Sequence, residues 1–429
     1  MPRRRVLVLC YFFPPLAGGG VHRVLSFTRH LPDHGWDCTV VCAGEGDYWV
    51  TDHSLTAGVR PETEVIRVRG GSALSVLLHV TRDARGKRSG RAFAGLRRWS
   101  DWWLLPDSYT GWANRARAAA ARRIAAGGID ALISSSPPDS VHLAARSLAR
   151  RFAIPWAADF RDPWIGLSFR DPPTAWHRGR QAAMERSVLD QADAVMVASD
   201  THRRWLRRSS GTTPDPARVH LLPNGFEASP PVASPATPAG ERFQIVFTGT
   251  LSLMPDTEVF LEAIHEALKH HPRARRSLRA RLIGPYDSGY ADRAVALGLT
   301  GIVEFTGPLA HAESRRQQRE ASLLVLWKPR GAPTMVPGKL YEYLDAGRPL
   351  LAALEPEDEA AELVLRAGGA RVAPGDRDAM TTAIEERWLA WQRGERPADA
   401  RPAWLDRYRR AELAGDLARI LDSLKRERA

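Results

Sequence analysis

The stretch SLLVLWKPRGAPTMVPGKLYEYLDAGRPLLAAL, residues 322–354, decides how the chain is read. It opens on an unbroken apolar run, 322–327. Such a run reads as a strand buried on both faces, because a parallel sheet covered by helices shows no apolar–polar alternation. A loop rich in proline and glycine follows. From Lys339 to Ala346 the periodicity is helical, Gly347 ends the helix, and a second apolar run begins. The proline before the helix and the glycine after it stand on the sides where a helix favours them. This is one strand–helix–strand unit, and it carries Lys339 and Glu342 in its first turns.

The same unit recurs along the chain. Apolar runs that read as buried strands are RVLVLC, CTVVC, EVIRV, ALISS, IPWAAD, AVMVAS and VHLLP, with helical patterns between most of them. GFEASPPVASPATPAGER then breaks the pattern and reads as a linker. A second series follows: FQIVFTG, RARLIG, VEFTG, SLLVLW, PLLAAL and ARVAP. The expected architecture is α/β, with two doubly wound Rossmann-like domains across a cleft. The boundaries fall at 1–226, a linker at 227–241, a second domain at 242–402, and a helical tail at 403–429 that packs back on the first domain. Two domains also suit 429 residues.

Composition narrows the class. No stretch of about 18 apolar residues marks a transmembrane helix. The short apolar run after MPRRR lacks a cleavage pattern and is not read as a signal peptide. Cys10, Cys38 and Cys42 lie in or beside strand-like runs without metal-ligand spacing, so buried thiols in a cytoplasmic protein are expected. The net charge is +12, largely arginine on alanine-rich helices. Residues 82–98 hold seven basic side chains against Asp83, and Trp99, Trp102 and Trp103 follow. Segment 82–103 suits peripheral contact with the inner face of a membrane, and equally a solvated loop with an aromatic anchor. No nucleic-acid module is present.

Ligands of such sheets bind beyond the carboxyl ends of the strands, so the motifs there carry the chemistry. Gly18, Gly19 and Gly20 follow the first strand and open a helix, where free N–H groups suit a diphosphate; a plain tight turn is the other reading. The triplet is not GxGxxG, and no acidic residue closes the second strand, which disfavours NAD. Asp159, Arg161 and Asp162 crowd another strand end. They read as cleft-facing groups for an acceptor or a proton, or as a surface ion pair. His142 reads as a helix-face histidine. In the second series Gly249 and Thr250 end one strand, and Lys328 and Arg330 end another. Gly338, Lys339 and Glu342 start the helix of the opening stretch. Lysine suits phosphate and glutamate suits ribose hydroxyls, though an i, i+3 pair on a helix surface has the same spacing.

Together, LLPNGFE (221–227), PGKLYEYLDAGRPLLA (337–352) and the glycine triplet resemble the GT-B glycosyltransferases of family 4. PDSYTGW (106–112), SSSPPDSVH (134–142) and DFRDPW (159–164) are similar to a bacterial branch of that family. The resemblance implies a retaining transfer from a nucleotide-diphosphate sugar, UDP- or GDP-linked, with no cofactor and no bound metal. It implies that Glu342 binds the ribose, that Gly18–Gly20 lie near the diphosphate, and that Asp159–Asp162 face the reacting sugar and acceptor. The acceptor is a lipid-linked or cell-surface glycan, or a small molecule of natural-product assembly. Two departures stand out. The family's Gly-Arg-Leu and following lysine are replaced by Gly249-Thr250-Leu251 with no lysine at 254–257, and the glutamate expected eight residues before Glu342 is Thr334. Phosphate charge therefore falls to Lys339, then to Lys328 and Arg330. A nucleotide-sugar epimerase of the same fold and a degenerate partner subunit are the competing readings.

Overall fold

A computed structural model describes residues 3–44, 51–70, 102–166, 172–209, 215–228, 242–252, 254–395 and 401–424. The basic stretch 82–98 with Trp99, and residues 229–241 of the linker, lie outside them. The chain forms two compact units, Met1–Pro223 with Arg410–Ala429, and Asn224–Arg409. The junctions lie a few residues from the boundaries read at 226 and 402.

Unit 1 holds one parallel sheet. Its strands are β1 (Arg4–Cys10), β2 (Trp36–Ala43), β3 (Glu64–Val68), β4 (Ala131–Ser136), β5 (Trp156–Phe160), β6 (Ala194–Val197) and β7 (Val219–Leu221). Their order is β3-β2-β1-β4-β5-β6-β7. Strand β1 shows why its run is uniformly apolar. Leu7 and Leu9 pack into a core with Trp112 and Leu148, while Val6, Val8 and Cys10 pack into the core on the other face. The three cysteines are buried there, and burial pushes the thiols of Cys38 and Cys42 up to about 12, with Cys10 also raised. The helix Arg410–Ser423 belongs to this unit and covers the second face with Leu413, Leu417 and Leu421.

Unit 2 repeats the design. Strands β8 (Phe243–Thr248), β9 (Leu278–Ile283), β10 (Val303–Gly307), β11 (Leu323–Trp327), β12 (Leu350–Ala353) and β13 (Ala370–Val372) run in the order β10-β9-β8-β11-β12-β13, all parallel. All thirteen apolar runs of the sequence are strands. In each unit the order reverses beside the first strand, between β1 and β4 and between β8 and β11. Loops diverge at such a switch point and leave a crevice at the carboxyl ends. Gly18–Gly20 follow β1 and Gly249, Thr250, Lys328 and Arg330 follow β8 and β11 at these two places, while Asp159, Arg161 and Asp162 lie at the end of β5, one strand beyond β4.

Candidate functional site

In unit 2 the crevice starts at the end of β8. Gly249 has φ +126°, a conformation that side-chain-bearing residues rarely adopt. Its N–H donates to the Ile283 carbonyl at 2.8 Å. Gly284, at the end of β9, has φ +137°, and a Cβ there would overlap the Gly249 carbonyl. Two glycines thus let two strand ends close on each other. Thr250 is exposed beyond them.

The helix Gly338–Ala346 enters this corner from the β11 side. Pro337 precedes it and Gly347 closes it in the left-handed conformation. Its Tyr343 hydroxyl accepts from the Thr248 N–H at 2.7 Å, tying the helix to the end of β8. Lys339 reaches back along the same side. Its Nζ stands 3.6 Å from the centroid of the Phe247 ring and against Gly249. Burial alone pushes this ammonium's pKa well below the usual lysine range. Among the described residues no carboxylate pairs with it. A half-buried cation resting on an aromatic face, with no protein anion, is a vacancy for an external one.

Glu342 lies one turn further on and is 9% exposed. His311 Nε2 lies 3.0 Å from its Oε1, and Gln318 Nε2 donates to its Oε2 at 3.3 Å. Gln318 also donates to Thr248 Oγ1 at 3.0 Å. Arg315 donates to the Glu342 carbonyl at 2.8 Å and to Asp345 at 2.5 Å. The carboxylate is therefore oriented by a second helix, His311–Glu320. The sequence reading missed these supports. Their signal was present: His311, Arg315 and Gln318 recur at i, i+4 and i+7, a polar stripe on one helix face.

Lys328 and Arg330 are placed differently from their sequence reading. Lys328 is buried, and its ammonium donates to Ala332 O at 2.7 Å, Met335 O at 3.0 Å and Asp358 Oδ1 at 2.8 Å. All three of its donors are engaged, so it anchors loop 328–337 and is not free for phosphate. Arg330 makes a two-point contact with Asp256 at 3.1 and 2.8 Å, and Asp256 also accepts from the Gly375 N–H. Both residues shape the strand-end loops. A cavity of about 380 Å³ beside them is lined by Arg330, Pro333, Glu355 and Asp358 among others. Gly338 is exposed, with nothing within 4 Å of where a Cβ would stand.

In unit 1, Gly18 has φ +117° and caps the helix Gly19–His30. A Cβ at Gly20 would meet Arg161 Nη1, the movable end of that side chain, so the turn lies directly against the guanidinium. Arg161 and the glycine turn are thus brought together, with Asp162 3.8 Å from the guanidinium. Asp159 corrects the sequence reading. It does not face solvent but is fully buried. Arg23 clamps it through contacts of 3.2, 3.0 and 2.7 Å, and Ser135 donates to it at 2.7 Å. Arg23 also donates to the carbonyls of Leu222 and Pro223 at 2.9 Å each. The pair pins the end of β5 to the chain leaving β7, and leaves Asp159 no lone pair aimed at a substrate. Asp162 is the more accessible carboxylate of DFRDPW.

Behind it lies a buried polar layer. His142 stacks on Phe160 with centroids 4.3 Å apart, and its Nδ1 meets Ser134 Oγ at 2.7 Å. Burial lowers its pKa to about 3, so it is a neutral packing group. His202 is lowered likewise. Glu185 is raised to about 8, mainly by burial and also by Asp139, while the Ile165 N–H opposes the shift.

Residues 18–225 match the family described as a glycosyl transferase 4-like domain. No curated protein matches the chain in sequence. Among solved structures, sucrose-phosphate synthase from Thermosynechococcus elongatus superposes with TM-score 0.66 at 17% identity, covering 98% of this chain and 99% of that one. HepE of Anabaena, solved with UDP-glucose, gives 0.64 at 14% identity, over 98% and 100%. WaaG, a glycosyltransferase involved in lipopolysaccharide biosynthesis, gives 0.61 at 15% identity, over 97% and 100%. The fold is GT-B, two Rossmann-like domains in one chain.

Proposed function

We propose that this chain is a retaining, metal-independent glycosyltransferase that takes its sugar from a UDP- or GDP-sugar held on unit 2. The observation that carries the reading is Lys339: a half-buried ammonium with no carboxylate against it among the described residues, one helical turn from an oriented glutamate. In this reading Glu342 accepts the ribose hydroxyls, and Lys339 meets the diphosphate. N–H groups at the start of the helix 338–346 add their partial positive charge. As the sugar–phosphate bond breaks, negative charge grows on the leaving diphosphate. A fixed cation and fixed dipoles stabilise that charge more than the ground state.

On unit 1, the Gly18–Gly20 turn lies near the donor diphosphate, and Arg161 and Asp162 supply the groups around the acceptor, Asp162 accepting from an acceptor hydroxyl. Asp159 acts by holding the strand end. A retaining transfer through same-face attack needs no protein nucleophile, which suits a site whose most crowded carboxylate is locked in an ion pair. The family match over residues 18–225 and the GT-B fold support transfer over binding alone.

Calorimetry with nucleosides, nucleoside diphosphates and nucleotide sugars tests the reading. One nucleoside diphosphate should bind, and Glu342→Ala should abolish that binding without lowering the melting temperature. Wild-type affinity in that variant would refute the ribose assignment. Conversion of a nucleotide sugar without any acceptor would favour an epimerase.

A further inference from the structure

We propose that unit 1 docks on an anionic phospholipid surface through the face formed by Trp102, Trp103 and the first turns of the helix Ala175–Gln191. The six most exposed large hydrophobic side chains among the described residues include three on this face: Trp102 at 48%, Trp103 at 72% and Trp176 at 62% exposure. They come from two segments more than 70 residues apart in sequence, and the fold joins them deliberately. His177 Nε2 donates to the Trp102 carbonyl at 3.2 Å, and Thr174 Oγ1 meets His177 Nδ1 at 2.7 Å. The Trp102 and Trp176 rings both stand edge-on to His177, at 5.2 and 4.9 Å. A buried histidine thus holds two tryptophans whose own surfaces face solvent.

Charge selects the partner. Residues 101–107 and 175–184 contain Arg178 and Arg180 against Asp101 and Asp107, and Asp107 is engaged by the Ser140 N–H and hydroxyl. Both arginines are exposed. The sequence leading into Trp102 is the stretch of seven basic residues against one acid at 82–98. Exposed tryptophan favours the headgroup level of a bilayer, where its ring is shielded and its N–H stays hydrated. Basic side chains beside it meet the negative surface potential of anionic lipid. A protein partner would need no such excess of one sign. The inference does not depend on the donor site, but it favours a lipid-linked acceptor among those the proposed function allows.

The test is flotation of the full chain with vesicles of phosphatidylcholine alone or with added phosphatidylglycerol, at low and high salt. The protein should float with the anionic vesicles only, and less at high salt. Arg178→Ser with Arg180→Ser should lower the partition coefficient by roughly fivefold per arginine. Trp103→Ser with Trp176→Ser, both changes on exposed side chains, should lower it at least tenfold. Each variant should keep the wild-type melting temperature and its nucleotide-induced shift, which separates this test from the donor-site reading. No flotation of the wild type, or equal flotation of wild type and both variants, overturns the proposal. A dimer in light scattering that the tryptophan variant disperses would assign the face to a second copy instead, and would also overturn it.

Discussion

Lys339→Met separates a functional lysine from a structural one. Methionine keeps the apolar stem that packs along Phe247 and removes the charge. In the free protein two effects oppose each other. The cation–π contact at 3.6 Å is lost, about 0.5–2 kcal/mol. The penalty of holding a desolvated ammonium without an anion is relieved. Burial depresses this lysine's pKa, so the charged form is disfavoured in the fold. A depressed pKa leaves the wild type without this penalty above the unfolded value of 10.5, and the penalty grows as pH falls from there through the folded value. The variant should therefore melt at the same temperature or higher at pH 7, with its advantage shrinking toward pH 10.5. Binding should move the other way. Loss of a charged hydrogen bond to phosphate costs about 1.5–3 kcal/mol, or roughly ten- to hundredfold in Kd. Titration calorimetry with a nucleoside diphosphate and its matching nucleoside reads this out. The diphosphate should weaken and the nucleoside should not. Equal weakening of both ligands would refute the assignment.

Asp159→Ala should destabilise the fold by about 3–5 kcal/mol in denaturant titration, because it leaves Arg23 buried and unpaired. Replacing both partners together, Arg23→Met with Asp159→Leu, should recover most of that loss; a single variant as stable as the wild type would contradict the clamp. His311→Ala should weaken nucleoside binding several-fold, less than Glu342→Ala does, since it removes a support and not the acceptor; an effect as large as that of Glu342→Ala would make His311 a direct contact. Glu185 has a folded pKa raised to about 8, so its contribution is present below the unfolded value of 4.5 and is lost as pH rises to about 8. Glu185→Gln should therefore gain stability relative to the wild type across that window, with a limiting slope of about 1.4 kcal/mol per pH unit, and stay level above it; a constant difference across the window in melts at stepped pH would show that the carboxyl does not titrate in the fold.

The strands were legible because parallel strands covered on both faces become continuous apolar runs, and all thirteen did. The corner around Lys339 and Glu342 was legible as a location, since a helix entered through proline and closed by glycine points its first turn at the strand ends. What one sequence does not show is pairing at a distance. Asp159 and Arg23 stand 136 residues apart, and nothing near DFRDPW announces that its first carboxylate is buried against an arginine of the glycine-turn helix. Lys328 looked like a free cation for the same reason, because Asp358 arrives from beyond β12. The stripe of His311, Arg315 and Gln318 lay in view, but a polar helix face reads as solvated until its neighbour is known.

The central claim, that a nucleoside diphosphate sits on unit 2 between the end of β8 and the helix 338–346, is tested most directly by hydrogen–deuterium exchange. UDP and GDP would be added separately to the full chain. One of them should slow exchange in peptides covering 248–252 and 334–342, with the protection at 248–252 reduced in Lys339→Met. Binding that leaves both peptides unprotected, or no protection by either nucleotide anywhere in unit 2, would contradict the account.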